Sequence, residues 1–445
     1  MNYKQLLDLQ KGSDRALAFR RTAEALNENP EDPKLIALFA MLFQKDNAYG
    51  LAYHLWKRVL PLEKNPEPGI FNNLGLAASC LGGPEMTDEA ESAWKRALQM
   101  DPNYTPALNN LALIALHSGD YERCLRYCSK SLEIAPQQSE VFEVRAYVNL
   151  MYGRWKEGWE DWEWSVGSKC RPHYDSEPYW KGEKGIDLLL RGEQGIGDEI
   201  SFASVLPDAV KDNRIVLECD YRLEGLFRRS FTGLEIHGTR RAESRGEYQG
   251  HSHRALIGSL PKYYRNATED FPGTPYLVAD PIRRSQWRGL FDKLPGKKIG
   301  IAWTGGRRTS FVERRSFKLE DWLPILKTDN TFISLQYKNP QDELDELKKN
   351  HGVEIQHYPF ATAHWDYDST AAIVAECDLV ICATTAVAHL AGALGKECWV
   401  LVPRKPRWFY GREGRTIPWY SSLELFRQTK DGWPIPEVVE RLGRG

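Results

Sequence analysis

A short glycine turn that ends in a carboxylate is the first candidate for chemistry in this sequence. Residues 186–190 are an apolar run that predicts a buried strand, and Gly195, Gly197 and Asp198 follow at the start of a predicted helix. A dinucleotide fingerprint needs a small residue where Ile200 stands, so a nicotinamide site is poorly supported. Asp198 is either a helix N-cap or a carboxylate that accepts a proton from an attacking hydroxyl, and the spacing alone favours the cap.

A second candidate is a glycine turn that leads into arginines. Residues 298–303 predict a strand, which Thr304, Gly305, Arg307 and Arg308 follow closely. Guanidinium groups bind phosphate in a fork, so the pattern suits a ligand that carries phosphate. A solvated charged loop explains the same residues equally well.

A third candidate is a turn of small and hydroxyl residues at the start of another predicted helix. It contains Thr384, Thr385, Ala386 and Val387, and His389 follows within one helical turn. Such a helix N-terminus favours an anion, because backbone N–H groups point at the ligand. His389 either reaches a phosphate or satisfies a hydrogen bond in the core. No cluster of His, Cys, Asp and Glu has metal-ligand spacing, so we expect no metal.

The elements around these turns alternate between strands and helices, which predicts parallel sheets covered by helices. We place one α/β unit at 169–282 and a second at 283–445, each with a glycine or hydroxyl turn after a buried strand. Ligands bind beyond the carboxyl ends of parallel strands. We therefore expect the Asp198 turn and the Thr384 turn to face each other across a cleft.

Residues 1–168 contain an internal repeat. Prolines at positions 30, 66, 102 and 136 are spaced by 36, 36 and 34 residues, and each follows an apolar helical pattern. This period, with two helices per unit, resembles the tetratricopeptide repeat (TPR), an α-solenoid with a concave groove. We expect the groove to bind a partner, and a structural brace is the alternative. Trp155, Trp159 and Trp162 share one helix face, where a buried seam is favoured over a stripe that stacks sugars or bases.

Composition narrows the class of protein. The 445 residues carry a net charge of −2, so no overall basic field favours nucleic acid or an anionic membrane. Eight cysteines without CxxC spacing indicate reduced thiols. The N-terminus lacks the apolar core of a signal peptide, and no apolar run reaches the roughly 20 residues of a spanning helix. We therefore expect a cytoplasmic protein without a membrane span.

Four segments in a fixed order behind the repeats carry a family resemblance. They are residues 192–198, the strand at 301–303 with its Gly-Gly-Arg turn, residues 387–396 and residues 419–428. This combination resembles bacterial TPR-containing glycosyltransferases, whose catalytic part is similar to the heptosyltransferases of glycosyltransferase family 9. The resemblance implies a GT-B fold of two Rossmann-like domains, with the acceptor in the first and a nucleotide-sugar in the second. It also implies inverting transfer without a metal or another cofactor.

The resemblance also implies roles for the candidate residues. Asp198 becomes the general base and can still cap the helix. The acceptor side of the cleft has Glu193, Gln194, Gly195 and Gly197. The donor side has Thr304, Gly305, Arg307, Arg308, Thr384, Thr385, Ala386, Val387, His389, Arg412 and Glu413. The family commonly has an aspartate where this chain has Thr384, so a negative charge is missing beside the expected phosphate site.

We therefore expect a glycosyltransferase that moves a sugar from a nucleotide donor to a protein or glycan recruited by the repeats. A nucleic-acid acceptor has less support because the overall basic field is missing. A homo-oligomer is compatible with a repeat array that dimerises. The alternative is a non-catalytic scaffold in which the repeats bind partners and the α/β part is a degenerate module. Thr384 favours the scaffold, whereas the intact Gly-Ile-Gly-Asp turn favours the enzyme.

Overall fold

A computed structural model describes residues 3–12, 14–170, 178–239, 248, 250–305, 316–362 and 366–444. The chain forms two compact units, Met1–Val148 and Asn149–Gly445. The domain boundaries expected at residues 168 and 282 stay predictions. None of the described helices is long and apolar enough to cross a bilayer.

The first unit is a succession of antiparallel helix pairs. Its helices are α1 (Tyr3–Lys11), α2 (Arg15–Glu28), α3 (Pro33–Lys45), α4 (Tyr49–Leu62), α5 (Pro68–Leu81), α6 (Pro84–Met100), α7 (Thr105–Ser118), α8 (Tyr121–Ile134) and the first part of α9 (Ser139–Met151). The repeating prolines at 30, 66, 102 and 136 each lie a few residues beyond the end of α2, α4, α6 and α8. Proline cannot continue a helix, so the observed ends agree with the predicted period.

Small residues let the paired helices approach closely. Gly75 in α5 lies against the Trp94 indole of α6, and a Cβ added at Gly75 would be 2.6 Å from Trp94 Nε1. That indole is 2% exposed, and its Nε1 donates to the Asn72 carbonyl at 3.0 Å. Gly82 and Gly83 join the two helices with φ of 75° and 86°, a left-handed backbone that residues with a Cβ rarely adopt.

The second unit contains two parallel sheets. Its helices are α10 (Trp155–Cys170), α11 (Ile196–Ala203), α12 (Leu206–Asp212), α13 (Glu224–Ser230), α14 (Pro261–Tyr264), α15 (Pro281–Phe291), α16 (Leu323–Leu326), α17 (Gln341–His351), α18 (Pro359–Thr362), α19 (Tyr367–Glu376), α20 (Ala386–Ala393) and α21 (Ile435–Arg444). Its strands are β1 (Asp187–Arg191), β2 (Arg214–Asp220), β3 (Glu235–Thr239), β4 (His253–Leu256), β5 (Lys298–Ala302), β6 (Thr331–Ser334), β7 (Ile355–His357), β8 (Leu379–Ala383), β9 (Cys398–Val402) and β10 (Leu423–Arg427).

The strand order is β3-β2-β1-β4 in the first sheet and β10-β9-β8-β5-β6-β7 in the second, and every described strand pair is parallel. The predicted α/β architecture is therefore confirmed at the level of parallel sheets with intervening helices. The central strands β8 and β9 are buried along their whole length, as expected of inner parallel strands. Because β5 and β8 are neighbours, the turns that follow them lie at the same carboxyl edge.

The tryptophans of α10 belong to an aromatic core of the second unit. Trp159 is 1% exposed, and its Nε1 donates to the Arg265 carbonyl at 2.8 Å. Its ring packs edge-on against Trp408 and Trp419, with centroid distances of 5.6 and 6.4 Å. Trp162 contacts Trp408 in the same way, at 5.7 Å. The tryptophan stripe is therefore buried in a seam, and its rings are not open to a ligand.

Gly75 and Gly50 provide a matched test of helix packing in the first unit. Gly75→Ala forces a methyl group into the Trp94 ring, and we expect it to lower the free energy of unfolding by about 1–3 kcal/mol. Gly50→Ala makes the same change inside α4, where the nearest atom to the new Cβ is Leu81 Cδ2 at 3.9 Å. We expect this control to be neutral or stabilising by up to about 1 kcal/mol. Urea unfolding followed by circular dichroism measures both, and equal effects would contradict the packing account.

Candidate functional site

Asp198 is the third residue of α11 and not its N-cap, so the N-cap interpretation is wrong in position, although its carboxylate still satisfies a backbone N–H at the helix start. Gly195 is the N-cap residue of α11, and Asp198 Oδ2 accepts a hydrogen bond from the Gly195 backbone N–H at 3.2 Å. This is one half of a capping box, because glycine has no side chain to return the bond. Gln194 precedes it with φ of 60°, so the turn is sharp. Glu193 is buried, and its Oε1 accepts from Gly258 N at 3.0 Å, which fixes the turn to the segment after β4.

The hydroxyl turn begins α20 as the sequence predicts. Thr385 is the N-cap residue, and its hydroxyl accepts from Val387 N at 3.2 Å. Thr384 stands between the end of β8 and this cap, and it is 4% exposed. Its Oγ1 is buried and has no hydrogen-bond partner among the residues that the structure describes. A buried hydroxyl without a partner is unfavourable, so this position suits a group that binds there.

The two turns are in direct contact rather than separated by an open cleft. A Cβ added at Gly197 would lie 3.2 Å from Ala386 Cα and 3.3 Å from Ala386 Cβ. One turn further along both helices, Ser201 Oγ and His389 Nδ1 are 2.8 Å apart. The absence of a side chain at Gly197 therefore lets the N-termini of α11 and α20 meet. Asp198 is thereby placed beside the start of α20.

His389 is a buried histidine whose two ring nitrogens lie near hydroxyl groups of the core. Nδ1 faces Ser201 at 2.8 Å and the Tyr420 hydroxyl at 3.4 Å, and Nε2 lies 3.5 Å from the Tyr410 hydroxyl. Burial, and secondarily the positive charge of Arg407, lower the pKa of His389 to about 3. The imidazole is therefore neutral at physiological pH, so it supplies no positive charge to a phosphate. Its role as a donor-binding residue stays a prediction.

Arg407 belongs to this site although no pattern in the sequence predicts it. It follows β9 after a Pro-Arg-Lys-Pro segment, and its Nη2 lies 3.5 Å from Asp198 Oδ1. A single arginine in a basic loop resembles many solvated arginines in sequence, so no local pattern marks it. The contact exists because α11 of the first sheet and α20 of the second sheet pack against each other. The spacing of residues along the chain does not predict that packing.

Thr304 and Gly305 lie at the same carboxyl edge as the α20 turn. Thr304 N donates to Gln336 Oε1 at 3.2 Å, and Gln336 Nε2 donates to the Thr304 hydroxyl. A Cβ at Gly305 would be 2.6 Å from Thr385 Cγ2, so the turns after β5 and β8 touch. Arg307 and Arg308 lie outside the described residues.

Arg412 and Glu413 occupy an exposed loop that is held by other contacts. Arg412 Nη1 donates to the Tyr152 hydroxyl at 3.1 Å, and its guanidinium lies over the Tyr152 ring at 5.5 Å. The Glu413 carbonyl accepts from Arg427 Nη2 at 3.0 Å. These contacts join the loop to the end of α9 and to β10, and the predicted contact with a nucleotide stays a prediction.

A separate cavity of about 500 Å³ lies at the opposite edge of the first sheet. Asp187, Asn213 and Arg214, at the amino ends of β1 and β2, are among its lining residues. Asp198 follows the carboxyl end of β1, so this cavity is not part of the candidate site.

The depressed pKa of His389 has a consequence for stability. The unfolded state takes up a proton near the ordinary histidine pKa of 6.5, whereas the folded state resists protonation until about pH 3. Stability from the neutral imidazole is therefore present above pH 6.5 and is lost as pH falls toward 3. We expect His389 to account for roughly 2 kcal/mol of lost stability between pH 7.5 and 5.0. Unfolding free energies at both pH values measure the loss.

His389→Gln should remove this part of the pH dependence, because glutamine does not titrate. His351→Gln is the matched control, since His351 is exposed at the end of α17. The control should keep the wild-type slope. A His389→Gln protein with the wild-type slope would show that the histidine is not buried in its neutral form.

Comparisons with known proteins identify the first unit and relate parts of the chain to two longer proteins. The family model for the tetratricopeptide repeat matches residues 85–146. Protein FlbA of Caulobacter vibrioides is 30% identical over 397 residues, which are 82% of this chain and 65% of that protein. The peroxisomal targeting signal receptor of Candida glabrata is 27% identical over 128 residues, 28% of this chain and 21% of the receptor. The chain thus spans less than two thirds of each relative.

Solved structures also align with part of the chain. TTC0263, a TPR protein of Thermus thermophilus, is 19% identical, covers 39% of this chain and 95% of its own, and has a TM-score of 0.33. The Pseudomonas aeruginosa pilF structure is 16% identical, with 47% and 83% covered and a TM-score of 0.36. From the family match and the observed helix pairs, the first unit is a tetratricopeptide-repeat solenoid, as its period predicted.

Proposed function

We propose that the second unit is a glycosyltransferase module of the GT-B type, which binds a nucleotide-sugar at the start of α20. The observation that carries the proposal is the contact between Gly197 and Ala386, which brings a carboxylate from the first sheet to a helix N-terminus of the second. Group transfer needs a proton acceptor and an anion site close together. The order of the motifs behind the repeats is compatible with this function.

The donor diphosphate would bind where α20 begins. The first N–H groups of the helix offer hydrogen bonds to an anion, and the helix dipole adds a favourable field. The Thr384 hydroxyl is available there, because no described residue uses it. Gly305 lets the turn after β5 pack closely on Thr385 at the start of this helix, because a Cβ there would be 2.6 Å from Thr385 Cγ2. In this proposal Arg307 and Arg308, which follow in the chain, add positive charge.

Asp198 would act as the general base. Its carboxylate accepts the proton of an acceptor hydroxyl, whose oxygen forms a bond to the anomeric carbon of the sugar. The bond from that carbon to the diphosphate oxygen breaks, and the nucleoside diphosphate leaves with the electron pair. Attack from the side opposite the leaving group inverts the anomeric configuration. No metal is needed in this proposal, because the helix N-terminus and the arginines offset the charge of the leaving group.

The repeat solenoid would recruit the acceptor. Stacked repeats present an extended concave surface, and such surfaces commonly bind peptides and proteins. A protein acceptor uses this surface directly, whereas a glycan acceptor would enter through the carrier that presents it. We propose the protein or glycan as the acceptor class and the cytoplasm as the compartment.

A non-catalytic scaffold is the second candidate, and one observation favours it. Both oxygens of Asp198 already have partners, Gly195 N on Oδ2 and Arg407 on Oδ1. These two contacts give the carboxylate a structural role in the helix cap and in an ion pair, without any role in catalysis. The scaffold would bind partners through the repeats and would release no nucleotide from any sugar donor.

Turnover by an Asp198 variant separates the enzyme from the scaffold. The full-length chain is incubated with the uridine, guanosine, adenosine and thymidine diphosphate sugars, and the released nucleotide is measured. We expect release from at least one donor, and Asp198→Asn should reduce it by about 10²–10⁴-fold. The variant should still fold, because the side-chain oxygen of asparagine can accept the same hydrogen bond from Gly195 N. It should also still bind the diphosphate.

Two outcomes would contradict the enzyme. The first is that none of the four diphosphates raises the melting temperature, since a ligand of the native state must stabilise it. The second is wild-type turnover by Asp198→Asn. Glu269→Gln is the matched control, because it removes one negative charge at an exposed position and should leave turnover unchanged.

Thr384 provides a test that depends on binding alone. Thr384→Val replaces the unpartnered hydroxyl by a methyl group, so the folded protein loses no hydrogen bond to a described residue. We expect a melting temperature equal to or above that of the wild type. Affinity for the bound diphosphate should fall about fivefold, which corresponds to one lost hydrogen bond of about 1 kcal/mol. Isothermal titration calorimetry measures the affinity, and an unchanged affinity would exclude Thr384 from the site.

A further inference from the structure

Arg407 connects the two halves of the candidate site. Its guanidinium is 3.5 Å from Asp198 Oδ1, and the side chains are 38% and 12% exposed. Among the residues that the structure describes, Asp198 is the acidic partner of Arg407. A single contact of this length between partly exposed groups is weak and has little hold on the arginine.

The same guanidinium lies beside the start of α20. Asp198 follows Gly197 directly, and Gly197 is packed on Ala386, the first residue of that helix. The charge of Arg407 is also felt by His389 and Tyr410, where it lowers the imidazole pKa and opposes the increase in the tyrosine pKa caused by burial. Arg407 is therefore close enough to α20 for its charge to act on groups around that helix.

Asp198 has no oxygen that is free of contacts while this pair is intact. Oδ2 accepts from Gly195 N at 3.2 Å, and Oδ1 faces Arg407 at 3.5 Å. The contact to Gly195 is part of the fold of α11, so it persists in every state in which the helix is formed. The contact to Arg407 is the one that a ligand can take away.

We propose that Arg407 is shared between Asp198 and the donor diphosphate, so that donor binding draws the guanidinium away and makes Asp198 Oδ1 available to the acceptor hydroxyl. This inference rests on the proposed function. A diphosphate carries more charge than one carboxylate and binds a guanidinium through two hydrogen bonds, so it competes effectively for Arg407. The arrangement favours donor binding before acceptor binding, because the donor frees the oxygen that the acceptor hydroxyl contacts.

A double-mutant cycle on the full-length chain tests the sharing. The probes are uridine, guanosine, adenosine and thymidine diphosphate, and calorimetry measures their dissociation constants for the wild type, Asp198→Asn, Arg407→Gln and the double variant. We expect Arg407→Gln to weaken binding about tenfold, because one charge-assisted contact is lost. Asp198→Asn should tighten binding by up to about fivefold, since it removes the weak competitor for the guanidinium. In the Arg407→Gln background the same change should have no effect.

Two further variants separate sharing from a structural role or a general charge effect. Arg407→Lys restores the positive charge, so it should recover part of the affinity, and Asp198→Asn should again tighten binding in that background. Glu269→Gln removes one negative charge away from the site and should change the dissociation constant by less than twofold. Melting temperatures of all variants report whether each protein is folded.

The possible results have different meanings. If the wild type binds a diphosphate but Asp198→Asn leaves the affinity unchanged, sharing is wrong and the proposed donor site stands. Equal tightening by Asp198→Asn with and without Arg407 also overturns sharing, because the effect then comes from charge alone. If none of the four diphosphates binds the wild type, the donor site and the sharing that rests on it both fail.

Discussion

The candidate site depends on the close approach of α11 and α20. Each helix follows a strand of a different sheet, and each begins at the carboxyl edge of its sheet. The approach needs a residue without a side chain at Gly197, because a Cβ there would be within 3.3 Å of two atoms of Ala386. The hydrogen bond between Ser201 and His389 then fixes the rotation of one helix against the other. A buried neutral pair of this kind orients the helices without the desolvation cost of burying charges.

This contact gives the two sheets different tasks. The first sheet supplies the carboxylate of Asp198, whose position is set by its own helix cap. The second sheet supplies the turns after β5 and β8, which touch through Gly305 and Thr385. Arg407 follows β9, another strand of that sheet, and its side chain contacts Asp198. Residues from the ends of four strands therefore meet where the helices begin, as is usual for ligand sites on parallel sheets.

Much of the fold could be predicted because it depends on local patterns. The proline period and the small residues in register indicate the helix pairs, and apolar runs such as β8 indicate buried parallel strands. The hydroxyl turn at Thr385 and the start of a helix near Asp198 could also be predicted, because capping depends on neighbours within a few residues, although the N-cap of α11 is Gly195. The role of Arg407 could not be predicted, since its partner Asp198 is 209 positions away and no repeated pattern marks the arginine. The direct packing of the two turns was missed for the same reason, because spacing along the chain gives no interhelical distance.

The aromatic core that surrounds Trp159 has a consequence for observing the site. Trp408 follows Arg407 in the chain and stacks on Phe409 with a centroid distance of 3.7 Å. It also lies within 6.1 Å of Trp419, so these indoles form one closely spaced array. Their electronic transitions couple at such distances, and the coupling changes with ring orientation. The indole of Trp408 is thus a natural chromophore next to Arg407 in the chain. A movement of the segment that contains both residues should change the near-ultraviolet circular dichroism without an added label.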